Sequence, residues 1–295
     1  MGAVRIAVVT SKAGLDRDAD LPLVVDALRA DGWETRAVAW DAEPEPWDGF
    51  GLAVIRSTWD YAERLDDFLA WASAAARATR LLNPEPVVRW NSDKRYLLDL
   101  AERHVCVVPT QFIVPGGNYR EADFDLPEGV VVKPAVSAGS LDTARYEPGH
   151  HADAVRHARM LLDQGRTVMV QPYQRLVEEG ERALVFFAGV FSHAIRKGPV
   201  LTEPGVIDNL RAPHPGVVPY APTAAELRTA QDALAAVPAA QAPLFARVDL
   251  TLAESREPVV MELELIEPNL FLDGNPQALA RFVGAVAAQA RAVTP

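Results

Sequence analysis

Three carboxylates near the C-terminus recur at spacings that place them on one face of a β-hairpin. Residues 245–252 and 259–267 each alternate apolar and polar side chains, which predicts two strands around a short break. Asp249 then shares one face of the first strand with an arginine two residues before it, and Glu262 and Glu264 share one face of the second. Like charges opposite each other cost about 0.2–1 kcal/mol per pair, so a bound cation would relieve the repulsion. Oxygen-only ligands suit Mg²⁺, and a solvated polar sheet face is the alternative that this pattern leaves open.

A lysine at the end of an apolar strand is a second candidate, here for binding phosphate. Residues 130–134 form the predicted strand, which ends in Lys133 and Pro134, and the loop 135–143 that follows consists of small residues. Small residues let backbone N–H groups approach an anion closely, which favours a phosphate clamp. A lysine that extends to solvent beside an ordinary surface loop is the alternative.

An arginine follows a predicted strand in the N-terminal part of the chain. The alternating patterns there predict strands at Arg5–Val9, Thr35–Trp40 and Leu52–Ile55, and helices at Leu21–Asp31 and Phe68–Ala78. Strands that alternate with helices imply a parallel sheet, in which ligands bind beyond the carboxyl ends of the strands. Arg56 lies just past Ile55, where its guanidinium could bind a substrate carboxylate. A structural ion pair, for example with Asp60, is the alternative.

Length, charge and composition limit the class of protein. The chain has 295 residues, more than one core usually supports, so two or three lobes are expected. The net charge of −11 argues against a nucleic-acid partner, and no apolar run approaches the roughly 20 residues that span a bilayer. Cys106 is the only cysteine, which excludes an internal disulfide and fits a cytoplasmic location. We expect Cys106 to be a buried apolar residue.

Several common catalytic motifs are missing from the sequence. It contains no Gly-x-x-x-x-Gly-Lys-Ser/Thr, no Gly-x-Gly-x-x-Gly after a strand and no Gly-x-Ser-x-Gly. P-loop, dinucleotide-binding and serine hydrolase sites are therefore unsupported. His150, His151 and His157 lack zinc-ligand spacing, and we expect them on a helix surface.

The order of the remaining motifs resembles the ATP-grasp superfamily, in the branch of glutathione-synthetase-like and ribosomal-modification-like carboxylate–amine ligases. The order begins with Lys94 early in a predicted helix and continues with Lys133 and its loop, the strand end Gln171-Pro-Tyr173 and the carboxylate hairpin. The resemblance covers essentially the whole chain. It implies an α/β fold in which an N-terminal open parallel α/β domain (1–108) precedes two lobes that grip ATP (109–173 and 174–295).

The resemblance also implies a role for individual residues. ATP binding falls to Lys94, Lys133, Ser137, Gly139, Ser140, Gln171, Tyr173 and Glu181. Glu178 and Glu179 are near enough in the sequence to be alternatives to Glu181 as the ribose-binding acid. Metal binding falls to Asp249, Glu262 and Glu264, and catalytic stabilisation of the phosphoryl group falls to Arg196, Lys197 and Arg247. In the family an Asn usually stands where this chain has Glu264. The expected donor to adenine is the Tyr173 N–H, because Pro172 has none.

A narrower resemblance is to the subgroup that contains the cycloserine-biosynthesis cyclo-ligase, which closes O-ureido-D-serine to D-cycloserine with ATP. It is carried by the motifs beginning at Ile55, Arg89, Lys133 and Glu262. It implies ATP and Mg²⁺ (two ions, with Mn²⁺ as a substitute) as cofactors and a small amino acid as the partner. Substrate contacts fall to Arg56, Ser57, Thr58, Tyr61, Glu267 and Asn269. An intermolecular carboxylate–amine ligase and a non-catalytic ATP-binding module remain alternatives, and the apolar terminal helices permit a homo-oligomer.

Overall fold

The N-terminal part of the chain forms a parallel sheet with helices on both faces. The computed structural model describes residues 4–42, 47–207, 209 and 216–293. The strands are β1 (Arg5–Thr10), β2 (Glu34–Ala39), β3 (Leu52–Ser57) and β4 (Arg80–Leu82), in the order β2-β1-β3-β4. The flanking helices are α1 (Asp20–Ala30) and α2 (Leu65–Ala78). The predicted strands and helices are confirmed, except that β3 continues through Arg56 and Ser57, which we expected beyond its end.

Both faces of this sheet are apolar, and alternate residues of each strand point to opposite faces. Ile6 and Val8 pack against α1, whereas Ala7 and Val9 pack against α2. The first face is completed from the far end of the chain by α7 (Pro276–Val293), through Phe282. The C-terminal helix therefore ties the last residues to the N-terminal sheet.

A second, antiparallel sheet occupies the middle of the chain. Two helices, α3 (Glu85–Asn91) and α4 (Tyr96–Glu102), lead into it. Its strands are β5 (Gln111–Ile113), β6 (Val130–Pro134), β7 (Ala144–Tyr146) and β8 (Val168–Pro172), in the order β5-β8-β6-β7. The apolar face of α5 (His151–Asp163) covers this sheet.

A third, antiparallel sheet carries the carboxylate hairpin. Its strands are β9 (Glu181–Phe187), β10 (Val190–Lys197), β11 (Val218–Tyr220), β12 (Phe245–Leu252) and β13 (Pro258–Glu264), in the order β11-β10-β9-β12-β13. The helix α6 (Ala224–Ala235) packs on it, together with α3 and α4. The three sheets fall within the predicted ranges 1–108, 109–173 and 174–295, but α3 and α4 share their core with the third sheet. The boundary at residue 108 stays a prediction.

Three local expectations are wrong. Cys106 is exposed, because the main chain at 106–108 pairs with Val260 along the open edge of β13 and directs this side chain outward. His157 is buried, because it lies on the face of α5 that packs on the second sheet. Lys94 lies in the turn between α3 and α4 and not in a helix.

Candidate active site

The hairpin of β12 and β13 places the predicted metal ligands opposite one another. Asp249 lies across from Glu262, and Arg247 lies across from Glu264. Arg247 donates to both carboxylate oxygens of Asp249, from Nε to Oδ1 at 2.8 Å and from Nη2 to Oδ2 at 2.9 Å, and its Nη2 also contacts Glu264. The arginine therefore bridges two carboxylates of the hairpin.

A buried lysine joins the hairpin from the neighbouring strands. Lys197 ends β10 opposite Glu181, the first residue of β9, and its side chain is 1% exposed. Its Nζ donates to Asp249 Oδ2 at 2.8 Å and contacts Glu181. Asp249 and Glu181 hold the pKa of Lys197 above its usual value despite burial, so the ammonium stays charged.

Two more lysines approach Glu262 from outside the third sheet. Lys94 Nζ lies 3.1 Å from Glu262 Oε1 and donates to the Ser137 carbonyl at 2.6 Å. Lys133, near the end of β6, lies close enough to Glu262 and Lys94 for its pKa to respond to both, and burial lowers that pKa. The structure thus brings together lysines from three separate parts of the chain.

The carboxylates of this cluster divide into two electrostatic groups. Burial opposes ionisation of Asp249 and Glu262, but Arg247 and Lys197 for the first, and two lysines for the second, hold both pKa values below their usual range. Burial raises the pKa of Glu264 to about 7 and that of Glu181 to about 6, although each has a cationic neighbour. Asp249 and Glu262 are therefore the two carboxylates that remain ionised most firmly.

The carboxylate oxygens of Asp249, Glu262 and Glu264 suit Mg²⁺, but the three side chains are not arranged around a common point. Within the described residues, no group of three or more His, Cys, Asp or Glu side chains is arranged to hold a metal ion. The reason is visible in the contacts, because Asp249, Glu262 and Glu264 each face a lysine or arginine. Mg²⁺ is commonly held by one or two carboxylates together with substrate phosphates, so the nucleotide would supply the missing ligands.

The loop after β6 lies over Lys94. Gly139 and Ser140 have positive φ values of 62° and 57°. This backbone conformation favours glycine, which the chain has at position 139. Ser137 is buried and its hydroxyl donates to the Leu141 carbonyl at 3.1 Å. The contact between Lys94 and the Ser137 carbonyl fixes the start of the loop beside the cluster.

The predicted adenine hinge is ordered by contacts of its own. The Tyr173 N–H, which we expected to be free for adenine, donates to the Gly129 carbonyl at 3.0 Å. The Gln171 side chain donates to Thr110 Oγ1 at 2.7 Å, and Arg145 lies over the Tyr173 ring at 4.8 Å. An adenine contact at Tyr173 stays a prediction, and it requires the Gly129 carbonyl to release this donor.

The predicted substrate residues separate into two groups. Tyr61 and Glu267 lie near the cluster: burial raises the pKa of each, and nearby carboxylates, Glu262 and Glu264 among them, raise it further. The N-terminal domain contacts Glu267 directly, since Trp59 Nε1 donates to its carbonyl at 3.1 Å.

Arg56 does not face the cluster. Its side chain is 1% exposed, and its Nη2 lies 3.7 Å from Asp18 Oδ2 and 3.5 Å from Asp20 Oδ2. The structural ion pair is thus formed with these two aspartates and not with Asp60, which pairs with Arg64.

Of the other expected substrate residues, Ser57 and Asn269 make local hydrogen bonds, and Thr58 is buried with no partner recorded for its hydroxyl among the described residues. The hydroxyl of Ser57 is 2.8 Å from that of Thr10, and Thr58 is fully buried. Asn269 is exposed, and its Oδ1 accepts from the Phe271 N–H at 2.9 Å. Their contact with substrate stays a prediction.

Arg196 also lies apart from the cluster. Successive residues of a strand point to opposite faces, so Lys197 enters the cluster and Arg196 extends from the other side of β10. Its side chain is exposed and passes so close to Gly180 that a Cβ there would lie 2.5 Å from Arg196 Cγ. In this conformation Arg196 cannot stabilise the phosphoryl group, which corrects our expectation.

Three residues that the sequence did not indicate hold the carboxylate strand in place. Asn91 donates to the Leu263 carbonyl and accepts from the Leu265 N–H, and Tyr96 accepts from the Leu263 N–H. Asn83 donates to the carbonyls of residues 245 and 265. These bonds satisfy the outer edge of β13, which would otherwise be unpaired. Their positions, in and just before the Arg89–Tyr96 motif, were the available signal.

None of the described helices is both long and apolar enough to cross a bilayer.

Comparison with known proteins identifies relatives over the whole chain. Residues 6–83 match the N-terminal domain of D-cycloserine synthetase DcsG. The chain is 36% identical to the cycloserine biosynthesis protein DcsG of Streptomyces lavendulae in an alignment 304 positions long, which covers 96% of this chain and 97% of that protein. The crystal structure of D-cycloserine synthetase DcsG aligns with a TM-score of 0.86 and 33% identity, covering 97% of this chain and 99% of that one.

More distant structures share the fold. A RimK domain ATP-grasp protein from Sphaerobacter thermophilus aligns with a TM-score of 0.69 and 18% identity, covering 96% of this chain and all of that one. The D-alanine–D-alanine ligase of Bacillus anthracis aligns with a TM-score of 0.67 and 13% identity, covering 99% and 98%. The chain belongs to the D-cycloserine synthetase family of ATP-grasp carboxylate–amine ligases.

Proposed function

We propose that this protein is an ATP- and Mg²⁺-dependent cyclo-ligase that closes O-ureido-D-serine to D-cycloserine. The observation that carries the proposal is the cluster in which Lys94, Lys197 and Arg247 contact the carboxylates of one hairpin. Activation of a carboxylate by ATP needs cations at the transferring phosphoryl group and carboxylates for metal, and this cluster offers both. The relatives over the full chain length carry the name of this reaction's product.

The cations have distinct tasks in this proposal. Lys94 approaches from the turn between α3 and α4, and Lys133 approaches from the second sheet. Both would neutralise the phosphates under the small-residue loop. Arg247 and Lys197 approach from the third sheet, where they would stabilise the charge of the acyl phosphate as it forms. The carboxylates now hold these side chains in the cluster, and binding of phosphate and metal would exchange these partners.

Asp249 and Glu262 would hold Mg²⁺, with Glu264 as the third ligand. Both carboxylates stay ionised against burial, and their oxygen atoms suit this hard cation. The bound metal would supply charge neutralisation at the phosphates. We expect two ions, with Mn²⁺ able to replace Mg²⁺, and metal titration would count them.

The ring closure itself needs positioning and not a side-chain nucleophile. Glu267 would hold the substrate ammonium, and Tyr61 would bound the pocket beside it. With both ends of one molecule held, attack of the ureido nitrogen on the acyl phosphate is intramolecular, which can supply up to about 7–11 kcal/mol. Phosphate leaves as the ring C–N bond forms, and the carbamoyl group is then lost by hydrolysis. The loop 135–143 would keep water from the acyl phosphate.

The test is ADP formation with O-ureido-D-serine as the sole co-substrate, together with the mass of the product. A product of cycloserine mass without any added amine supports the cyclo-ligase. Turnover that requires a separate amine overturns it in favour of an intermolecular ligase, and binding of ATP without any turnover favours a non-catalytic module. A small-molecule substrate fits a cytoplasmic enzyme. Sedimentation would give the oligomeric state of the protein.

A further inference from the structure

The main chain of residues 267–273 is held by side chains from several other elements. This segment, the 267–273 loop, lies between β13 and α7, where residues 265–275 contain neither helix nor strand. It begins with Glu267, the residue proposed to hold the substrate ammonium.

Four successive carbonyls of the loop each accept a hydrogen bond from a different side chain. Trp59 Nε1 donates to the Glu267 carbonyl at 3.1 Å, and Arg56 Nη1 donates to the next one, of Pro268, at 3.0 Å. Arg247 Nη1 donates to the carbonyl of residue 269 at 3.1 Å. His193 lies 2.9 Å from the carbonyl of residue 270 and must carry its proton on Nε2, since a carbonyl only accepts.

The far end of the loop is held by an aspartate of the N-terminal domain. Asp20, the first residue of α1, accepts from the N–H of Leu272 at 3.2 Å and from that of Asp273 at 2.9 Å. Asp20 is also a partner of Arg56, at 3.5 Å. The buried pair of Arg56 and Asp20 therefore holds the loop at both ends from the N-terminal domain.

These bonds connect two parts of the molecule that carry different functions. Arg56 and Trp59 belong to β3 and the turn after it, whereas the loop continues the strand that carries the metal ligands. Arg247 binds the loop and the carboxylates of the cluster at once. A loop without main-chain hydrogen bonds of a helix or sheet is easily displaced. Displacement of a reacting group by about 1 Å can lower the rate on the order of 100-fold.

We propose that Arg56 and Trp59 are positioning residues, which fix Glu267 beside the metal ligands by holding the carbonyls of residues 267 and 268. Arg56 reaches the substrate only through this loop, because its guanidinium is buried between Asp18 and Asp20. This inference rests on the proposed function insofar as Glu267 binds the substrate ammonium.

The test compares two variants with two matched controls. Trp59→Phe removes the indole N–H donor and keeps an aromatic ring. Arg56→Lys keeps the positive charge beside the aspartates but loses the planar guanidinium with its several N–H donors. Trp33→Phe and Arg103→Lys are the controls, because their side chains donate to Asp31 and to the Ala236 carbonyl, away from the loop. The readouts are KM for O-ureido-D-serine, KM for ATP, and amide hydrogen exchange.

In Trp59→Phe we expect KM for the amino acid to rise about tenfold, which corresponds to about 1.4 kcal/mol, with KM for ATP unchanged. The amides of Leu272 and Asp273 should exchange faster in both variants and not in the controls. Equal KM values in Trp59→Phe and Trp33→Phe would overturn the proposal, whether or not exchange changes. If Arg56→Lys does not fold, Trp59→Phe still decides.

The exchange readout separates this proposal from the proposed function. A wild-type enzyme that does not turn over O-ureido-D-serine would overturn the proposed function. Exchange at Leu272 and Asp273 does not depend on substrate, and unchanged exchange in both variants would overturn the positioning role by itself.

Discussion

Replacement of Lys197 by Met should destabilise the metal-free protein strongly. Lys197 is fully buried, and its ammonium is the shared partner of Asp249 and Glu181. Removing one partner of a buried ion pair costs about 3–5 kcal/mol, because the remaining charge stays buried. For a chain of this size, 1 kcal/mol corresponds to roughly 2–4 °C, so the Tm should fall by roughly 10 °C.

Two further properties of Lys197→Met follow from the same contacts. Without the ammonium, the pKa of Glu181 should rise above its value of about 6. A carboxyl whose folded pKa lies above its unfolded pKa loses stability as pH rises, so the deficit of the variant should grow between about pH 6 and pH 8. Added Mg²⁺ should raise the Tm of the variant more than that of the wild type, since the ion can replace the lost cation.

The assay is thermal unfolding with EDTA or with Mg²⁺ at several pH values, with Lys12→Met as the control. Lys12 is exposed, so its replacement should leave the Tm nearly unchanged. The reasoning is refuted if both variants unfold at the same temperature, or if Mg²⁺ stabilises wild type and Lys197→Met equally.

Three other outcomes are expected. Glu267→Gln should raise KM for the amino acid about 10–100-fold with little change in kcat, because the bound ammonium would favour ionisation of Glu267 against its raised pKa and Gln offers no such charge; steady-state kinetics with an unchanged KM would remove this role. The double variant Asp249→Asn, Glu262→Gln should abolish ADP formation, and retained turnover would exclude both as metal ligands. Burial lowers the pKa of His157 to about 4 from 6.5, so the contribution of this residue to stability should be lost as pH falls through this range, by about 2 kcal/mol between pH 7 and pH 5. Glu264 and Glu181, whose pKa values are raised, act in the opposite direction, so the test is the difference between the two proteins: urea unfolding should show that wild type loses about 2 kcal/mol relative to His157→Phe over this range.

The hairpin could be predicted from the sequence because its signal is local. Alternation within residues 245–252 and 259–267 fixes which side chains share a face, and the pairing of Asp249 with Glu262 follows once the turn closes. The same rule of alternation separates Arg196 from Lys197, since neighbours on one strand cannot both enter the cluster. Composition held a further signal, because three of the four lysines in the chain belong to the cluster.

The role of Arg56 could not be predicted because its partners are distant in the sequence. Pro268, whose carbonyl it binds, lies 212 residues further along the chain. Asp18 lies just before the first helix and Asp20 is its first residue, and nothing in their local pattern distinguishes them from solvent-exposed helix caps. The position of Arg56 near the end of a parallel strand indicated a ligand site, whereas tertiary packing uses it to hold a loop.

The paired charges of the cluster imply that metal and nucleotide depend on each other for binding. Lys94 is neutralised by Glu262, and Lys197 and Arg247 by Asp249, so each ligand alone must separate an existing ion pair. Phosphates alone would leave the carboxylates without partners, and Mg²⁺ alone would leave the lysines and the arginine without partners.

When both ligands bind together, every charge exchanges one partner for another, and the desolvation of the side chains is already complete. We therefore expect MgATP to bind at least about tenfold more tightly than ATP in EDTA, and Mg²⁺ alone to bind weakly, a coupling of about 1–3 kcal/mol. Calorimetric titration of all three ligands measures this coupling. Equal affinities for ATP with and without Mg²⁺ would mean that the carboxylates keep their cationic partners after the nucleotide has bound.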